Sequence, residues 1–177
     1  LVYYALKSPR MIDRNKIKLY LEKNARPIDL AMYDLHFRNG NKDAILSALT
    51  EYQNEDGGFG LAIEPDLRLP QSTTLSTWMA FQFIVEANLD QTNATVERGM
   101  QYFVDTYDEQ RVGWSIVVPE VDKHPHAPWW EYKFAMEHFG WGNPSAEILG
   151  YFIKYRDAVD NRDIIEKMTA KALERIH

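Results

Sequence analysis

The sequence predicts an all-α chain built of repeated helical hairpins. Three observations point there. Apolar residues recur at the 3.6-residue period through most of the 177 residues. A Ser, Thr, Asp or Asn stands just before most of these stripes, where a side-chain oxygen can cap a helix. A polar, glycine-containing corner that ends in an aromatic occurs twice, and a shift of 55 residues takes Gly58–Phe59 onto Gly113–Trp114.

The elements follow in order. Asp13 can cap a first helix to about Asn24, with Ile17, Tyr20 and Leu21 on one face. Pro27 suits the first turn of a second helix, which carries Ile28, Ala31, Met32 and Leu35 and is expected to end at Gly40. Asn41 caps a third, with Ala44, Ile45, Ala48, Leu49 and Tyr52 in one stripe. After the corner Glu51–Asp66, the run STTLSTWMAFQFIVEA opens with a Ser/Thr cap and is apolar almost all round, as in a helix buried on most sides. Asn93 caps the amphipathic NATVERGMQYFVDTY. The segment WWEYKFAMEHF reads as helical, and Pro144 sits at the first turn of PSAEILGYFIKYRDAV. The last stripe is Ile164, Ile165, Met168, Ala172, Leu173 and Ile176. That makes about eight helices. WSIVV is the one β-like run, and it is short.

The bulk numbers narrow the function classes. With 45% hydrophobic residues the chain can bury a substantial core as one domain, 1–177, with repeat units at about 41–92 and 93–160. A formal charge of -6 argues against nucleic acid, because phosphate binding needs a basic field. Cysteine is absent, which excludes disulfides and thiolate metal sites. No apolar run is long enough to span a bilayer, and the opening LVYYALKSPR does not read as a signal peptide, so a cytoplasmic protein is expected. Aromatics reach 13%, which fits either a large core or an aromatic-lined cavity.

Each repeat unit reads as helix, polar corner, extended proline-containing loop, helix. The shift also aligns Tyr52 with Tyr107, Pro70 with Pro125, and Ala44–Leu49 with Gly99–Val104. The second loop is longer, and the final helix looks like the start of a third unit. At the corner, glycines permit a sharp reversal, and Phe59 or Trp114 can pack back over its own helix. Gln53, Asn54 and Asp56 can bond loose backbone groups at helix ends.

Leu49-x-x-x-Gln53-x-x-x-Gly57-Gly58-Phe59 resembles the QW-type repeat of the terpenoid cyclases and protein prenyltransferases. Arg98-Gly99-x-x-Tyr102-Phe103 followed by Gly113-Trp114 resembles the two ends of the same motif. Phe59 stands where Trp is usual, Tyr107 or Asp108 replaces the second Gln, and that copy is one residue longer. The resemblance covers about 41–114. It implies an α/α toroid, two concentric rings of helices around a cavity, of which this chain would be a partial ring or an arc; a fragment is the favoured expectation. The cyclases' Asp-x-Asp-Asp run and the prenyltransferases' zinc-holding Cys have no counterpart here, so those activities are not expected in this segment.

The candidate catalytic residues are the paired acids of the two proline-containing loops: Glu64 and Asp66, then Glu120 and Asp122. Capping or solvated charge is the plainer reading of each. Such acids beside aromatic faces suit carbohydrate cleavage, or isoprenoid chemistry started by a carboxylic acid. The candidate ligand-binding residues are Trp78, Trp114, Trp129, Trp130 and Tyr132. HPHAPWWEY gives a weak metal candidate in His124 and His126, whose i, i+2 spacing in an extended run puts both rings on one side. His36 and His138 read as hydrogen-bonded helix-face histidines.

The expectation is therefore a toroid-class protein with an aromatic, acidic-rimmed cavity for a small apolar or mixed ligand; its cofactors are unknown. A carbohydrate-active (α/α)-barrel enzyme instead predicts the acids facing a groove beside Trp129 and Trp130. A terpenoid or lipid site predicts a dry pocket of Trp78, Phe81, Trp114 and Tyr132, and a structural module predicts only an apolar concave patch.

Overall fold

A computed structural model describes residues 13–159 and 162–176. The opening segment and the side chains of Ile164 and Ile176 lie outside the described residues. The described chain is all-helical, with no strand, only three isolated β-bridges. Its eight helices are α1 (Arg14–Asn24), α2 (Pro27–Phe37), α3 (Lys42–Thr50), α4 (Thr74–Glu86), α5 (Ala94–Asp105), α6 (Tyr132–His138), α7 (Gly142–Lys154) and α8 (Arg162–Ile176). Two 3-10 segments, Pro119–Lys123 and Pro128–Trp130, lie in the long loop before α6.

The helix starts follow the capping chemistry. Asp13, Asn41, Thr73 and Asn93 each accept a backbone N–H from the first turn of α1, α3, α4 and α5. The end of α2 differs from expectation. Asn39, not Gly40, takes the left-handed conformation, at φ 56. Gly40 is needed for close approach instead: a Cβ there would lie 2.7 Å from the Asp34 carbonyl carbon. The segment at 129–139 also starts later as an α-helix than its periodicity suggests. Trp129 and Trp130 stay in the 3-10 turn, and Glu131 caps α6 by accepting the Phe134 N–H at 2.7 Å. At α7, Asn143 is non-helical and the Asn143–Pro144 peptide is cis, so the regular helix begins at Pro144.

Helix contacts alternate along the chain. α2 packs on α3, α3 on α5, α4 on α5 and α7, α5 on α7, and α7 on α8. One large core runs through this stack. Its centre is a run of aromatics: Phe81 of α4 stacks on Tyr151 of α7 and tilts against Phe103 of α5, both at 5.2 Å. Trp114 extends the run, edge-on to Phe103 and stacked on Phe152, both at 6.1 Å. Fully burying each Phe contributes about 1.5–3 kcal/mol. That explains why α4 is apolar on nearly every side: it meets helices on both flanks and a loop layer at its start.

The two corners share their geometry. The Tyr52 N–H donates to the Leu49 carbonyl and the Tyr107 N–H to the Val104 carbonyl. An isolated bridge closes each corner, Gln53 to Phe59 and, one residue shorter, Asp108 to Gly113. Phe59 and Trp114 are both buried in the large core. The polar corner side chains bond the corner itself and its neighbours rather than loose ends of their own helix. Gln53 donates to the Gly57 and Thr95 carbonyls, while Asp56 accepts from the Gly58 N–H and the Ser72 hydroxyl.

Candidate functional site

The two proline-containing loops, 60–72 and 115–131, form one layer. The Arg68 N–H donates to the Pro125 carbonyl and the Ala127 N–H to the Asp66 carbonyl, each at 2.9 Å, around an antiparallel bridge from Leu67 to His126. The Leu75 N–H of α4 donates to the Ile116 carbonyl at 2.9 Å. Leu67, Leu69, Leu75, Ile116, Val117, Val121, Trp130 and Ala135 make a second, smaller core beneath this layer. WSIVV is thus a loop that divides between the two cores: Trp114 enters the large one, while Ile116, Val117 and Val118 serve the second.

Glu64 is the unusual side chain of the layer. It is 8% exposed although it is a carboxyl group. Among the described residues its carboxyl group has one hydrogen bond, a long one accepted from the Asp66 N–H at 3.3 Å. Burial pushes its pKa up, the Asp66 carboxylate adds to the rise, and the Asp66 N–H and Arg26 oppose it. Arg26 does not pair with Glu64 directly. Its guanidinium grips Asp29 at 2.7 and 2.9 Å and donates to the Ile63 carbonyl at 2.7 Å. The backbone before Glu64 is strained: Leu61 and Ala62 both take positive φ, 54 and 64. Each such residue costs on the order of 1 kcal/mol and persists only where its surroundings impose it. Arg26 supplies part of that constraint, and Gly60, where a Cβ would lie 2.2 Å from the Pro70 carbonyl oxygen, supplies the close approach.

The other acids are placed differently. Asp66 is exposed. Glu120 is half-buried on the first 3-10 segment. Asp122 serves the fold, accepting the Tyr132 N–H at 2.8 Å at the start of α6. Trp129 is 47% exposed, the most open indole on the layer. Trp130 turns inward, stacked on Phe139 at 5.0 Å, and its indole N–H has no partner among the described residues. The Nδ1 of His126 faces the His124 carbonyl at 2.7 Å. No group of three or more His, Asp or Glu side chains that could hold a metal occurs among the described residues. His36 pairs with Glu86 at 2.9 Å, and His138 bonds the Phe134 carbonyl and stacks on that ring.

Trp78, Phe81, Trp114 and Tyr132 do not share one pocket. Phe81 and Trp114 are packed in the large core, and the Trp114 indole N–H donates to the Phe103 carbonyl at 2.7 Å. Tyr132 packs against the second core, and Trp78 touches both. Trp114 also borders a small cavity of about 20 Å³, with Arg111, Trp141, Asn143 and Ser145, which is room for one water.

Sequence reasoning missed Glu147. It joins α4 to α7 by accepting the Trp78 indole N–H and the Tyr151 hydroxyl, both at 2.7 Å. The Glu147–Tyr151 spacing of i, i+4 was visible, but the Trp78 partner is remote in sequence. No helix among the described residues is long and apolar enough to cross a membrane. No protein-family model, curated protein or solved structure matches the chain.

Proposed function

We propose that this chain is part of an α/α-toroid-type protein and that its loop layer binds a small ligand of mixed polar and apolar surface, with carbohydrate the class whose chemistry fits best. The alternating helix contacts and the matching corners support the toroid reading. One observation carries the ligand reading: the Leu67–His126 bridge joins the two acid-bearing loops into a single layer. Asp66 and Ala127 meet across that junction. Glu64 lies two residues before Asp66, and Trp129 two residues after Ala127. An exposed indole offers a flat apolar face to a sugar ring, and carboxyl groups bond its hydroxyls. An isoprenoid site is less well supported, because Phe81 and Trp114 fill the core.

The test is a fluorescence titration against a panel of oligosaccharides and isoprenoid diphosphates. Saturable quenching by an oligosaccharide, lost in Trp129→Ala, is the expected result. Saturable binding of an isoprenoid diphosphate, unchanged in Trp129→Ala, would overturn the reading.

A further inference from the structure

A fold that needed only a stable loop layer would not place a carboxyl group at Glu64. The group is 8% exposed, has one long hydrogen bond among the described residues, and lies just after Leu61 and Ala62, both in the left-handed region. Burying a charge without a direct partner is costly, so an isosteric neutral side chain would serve the packing better. Arg26 could have neutralised it, yet Arg26 spends its fork on Asp29 and on the carbonyls of Ala62 and Ile63. It holds the strained turn in place and leaves the carboxyl group without an ion-pair partner among the described residues. Strain and an unpaired buried acid on one loop are the marks of a group kept for what it does to a ligand.

We infer that Glu64 is the acid of the loop-layer site, meeting the ligand as a neutral carboxylic acid and donating a hydrogen bond to a ligand oxygen. This rests on the reading of the loop layer as a carbohydrate-binding face. The groups around it fit the role. Burial first, and then the neighbouring Asp66 carboxylate, favour the neutral form, while the Asp66 N–H and Arg26, already paired with Asp29, oppose it. A carboxylic acid presents one O–H donor, whereas a carboxylate only accepts. Recognition of an ether, hydroxyl or carbonyl oxygen by this group therefore weakens as pH rises through its titration.

The experiment compares wild type, Glu64→Gln and Glu64→Leu, each checked for folding by circular dichroism, in titrations with the oligosaccharide that quenches Trp129. Wild-type affinity is expected to fall by about tenfold as the acid ionises, the loss of one good hydrogen bond and its donor. Glu64→Gln keeps an N–H donor, so it is expected to bind at all pH values as the wild type does at low pH. Glu64→Leu is expected to bind weakly throughout. An unchanged pH profile in Glu64→Gln, or wild-type affinity in Glu64→Leu, overturns the assignment and leaves the carbohydrate reading standing. A wild-type protein that binds no oligosaccharide at any pH overturns the carbohydrate reading and this inference with it.

Discussion

Thr77 and Ser145 hold equivalent places in the two repeats. The Thr77 hydroxyl accepts the buried N–H of Phe59 at 3.0 Å, and the Ser145 hydroxyl accepts the N–H of Trp114 at 3.4 Å. Each hydroxyl sits in the first turns of the helix after its loop, and each stitches that helix to the corner before it. A backbone N–H beneath a packed aromatic has no water to turn to, so the hydroxyl is its main recourse.

Removing these hydroxyls should therefore be costly. Thr77→Val keeps the shape but leaves the Phe59 N–H unpaired, and is expected to lower stability by about 1–3 kcal/mol in urea unfolding. Ser145→Ala, at the longer bond, is expected to cost less. Equal stability of Thr77→Val and wild type would show that the corner does not depend on this stitch.

Two glycines give opposite predictions from the same substitution. Alanine is the better helix former by about 0.8–1 kcal/mol. At Gly150 a Cβ meets nothing within 4 Å, so Gly150→Ala should stabilise by roughly that amount. At Gly99 a Cβ would lie 2.6 Å from the Phe81 ring and 3.4 Å from the Phe59 ring, both at 0% exposure. Overpacking costs about 1–3 kcal/mol, so Gly99→Ala should be neutral to destabilising by as much as about 2 kcal/mol. A Tm rise in Gly99→Ala matching that of Gly150→Ala would mean that the aromatic run is not tightly packed.

Much of the helical pattern was legible because it is local. Asp13, Asn41 and Asn93 cap where the pattern puts them, and Pro27 opens α2. Errors came where a local rule met a distant partner. Gly40 reads as the stop of the second helix, yet Asn39 makes the left-handed turn and Gly40 allows the close approach to Asp34. WSIVV has strand-like composition, but Ile116 and Val117 pack with Leu67, Leu69 and Leu75, remote in sequence, and Trp114 packs in the large core. Trp114 and Trp130 looked available for a ligand, because composition cannot tell an inward indole from an outward one. Glu64 was legible as a candidate acid. Its burial was not, since that depends on Arg26 and the turn at Leu61–Ala62.

Glu64 makes a pH-dependent stability prediction that needs no ligand. Its folded pKa is raised, so the fold holds the proton more tightly than the unfolded chain does. Stability from that proton is fully present below the unfolded value of 4.5 and is lost as pH rises through the folded value. Glu64→Gln cannot ionise. It should match wild type in acid and become progressively more stable than wild type above that window. Urea unfolding of both proteins from pH 4 to pH 8 checks this, and a constant difference across the range would count against a buried, unpaired acid.

The Glu147 clamp gives the last prediction. Both carboxylate oxygens are occupied by neutral donors from two places, Trp78 on α4 and Tyr151 one turn along α7. Tyr151 is 5% exposed, so its hydroxyl depends on Glu147, and burial followed by that carboxylate pushes its pKa up. Glutamine keeps an oxygen for the Trp78 N–H, and its own N–H can be accepted by the Tyr151 hydroxyl oxygen, so the clean deletion is Glu147→Leu, which removes both acceptors. Glu147 itself is open to water, which discounts the charge. In a double-mutant cycle of Trp78→Phe with Glu147→Leu, a coupling energy of about 1 kcal/mol is expected, below that of a fully buried charged hydrogen bond. A coupling within about 0.3 kcal/mol of zero would mean that apolar packing alone holds α4 against α7.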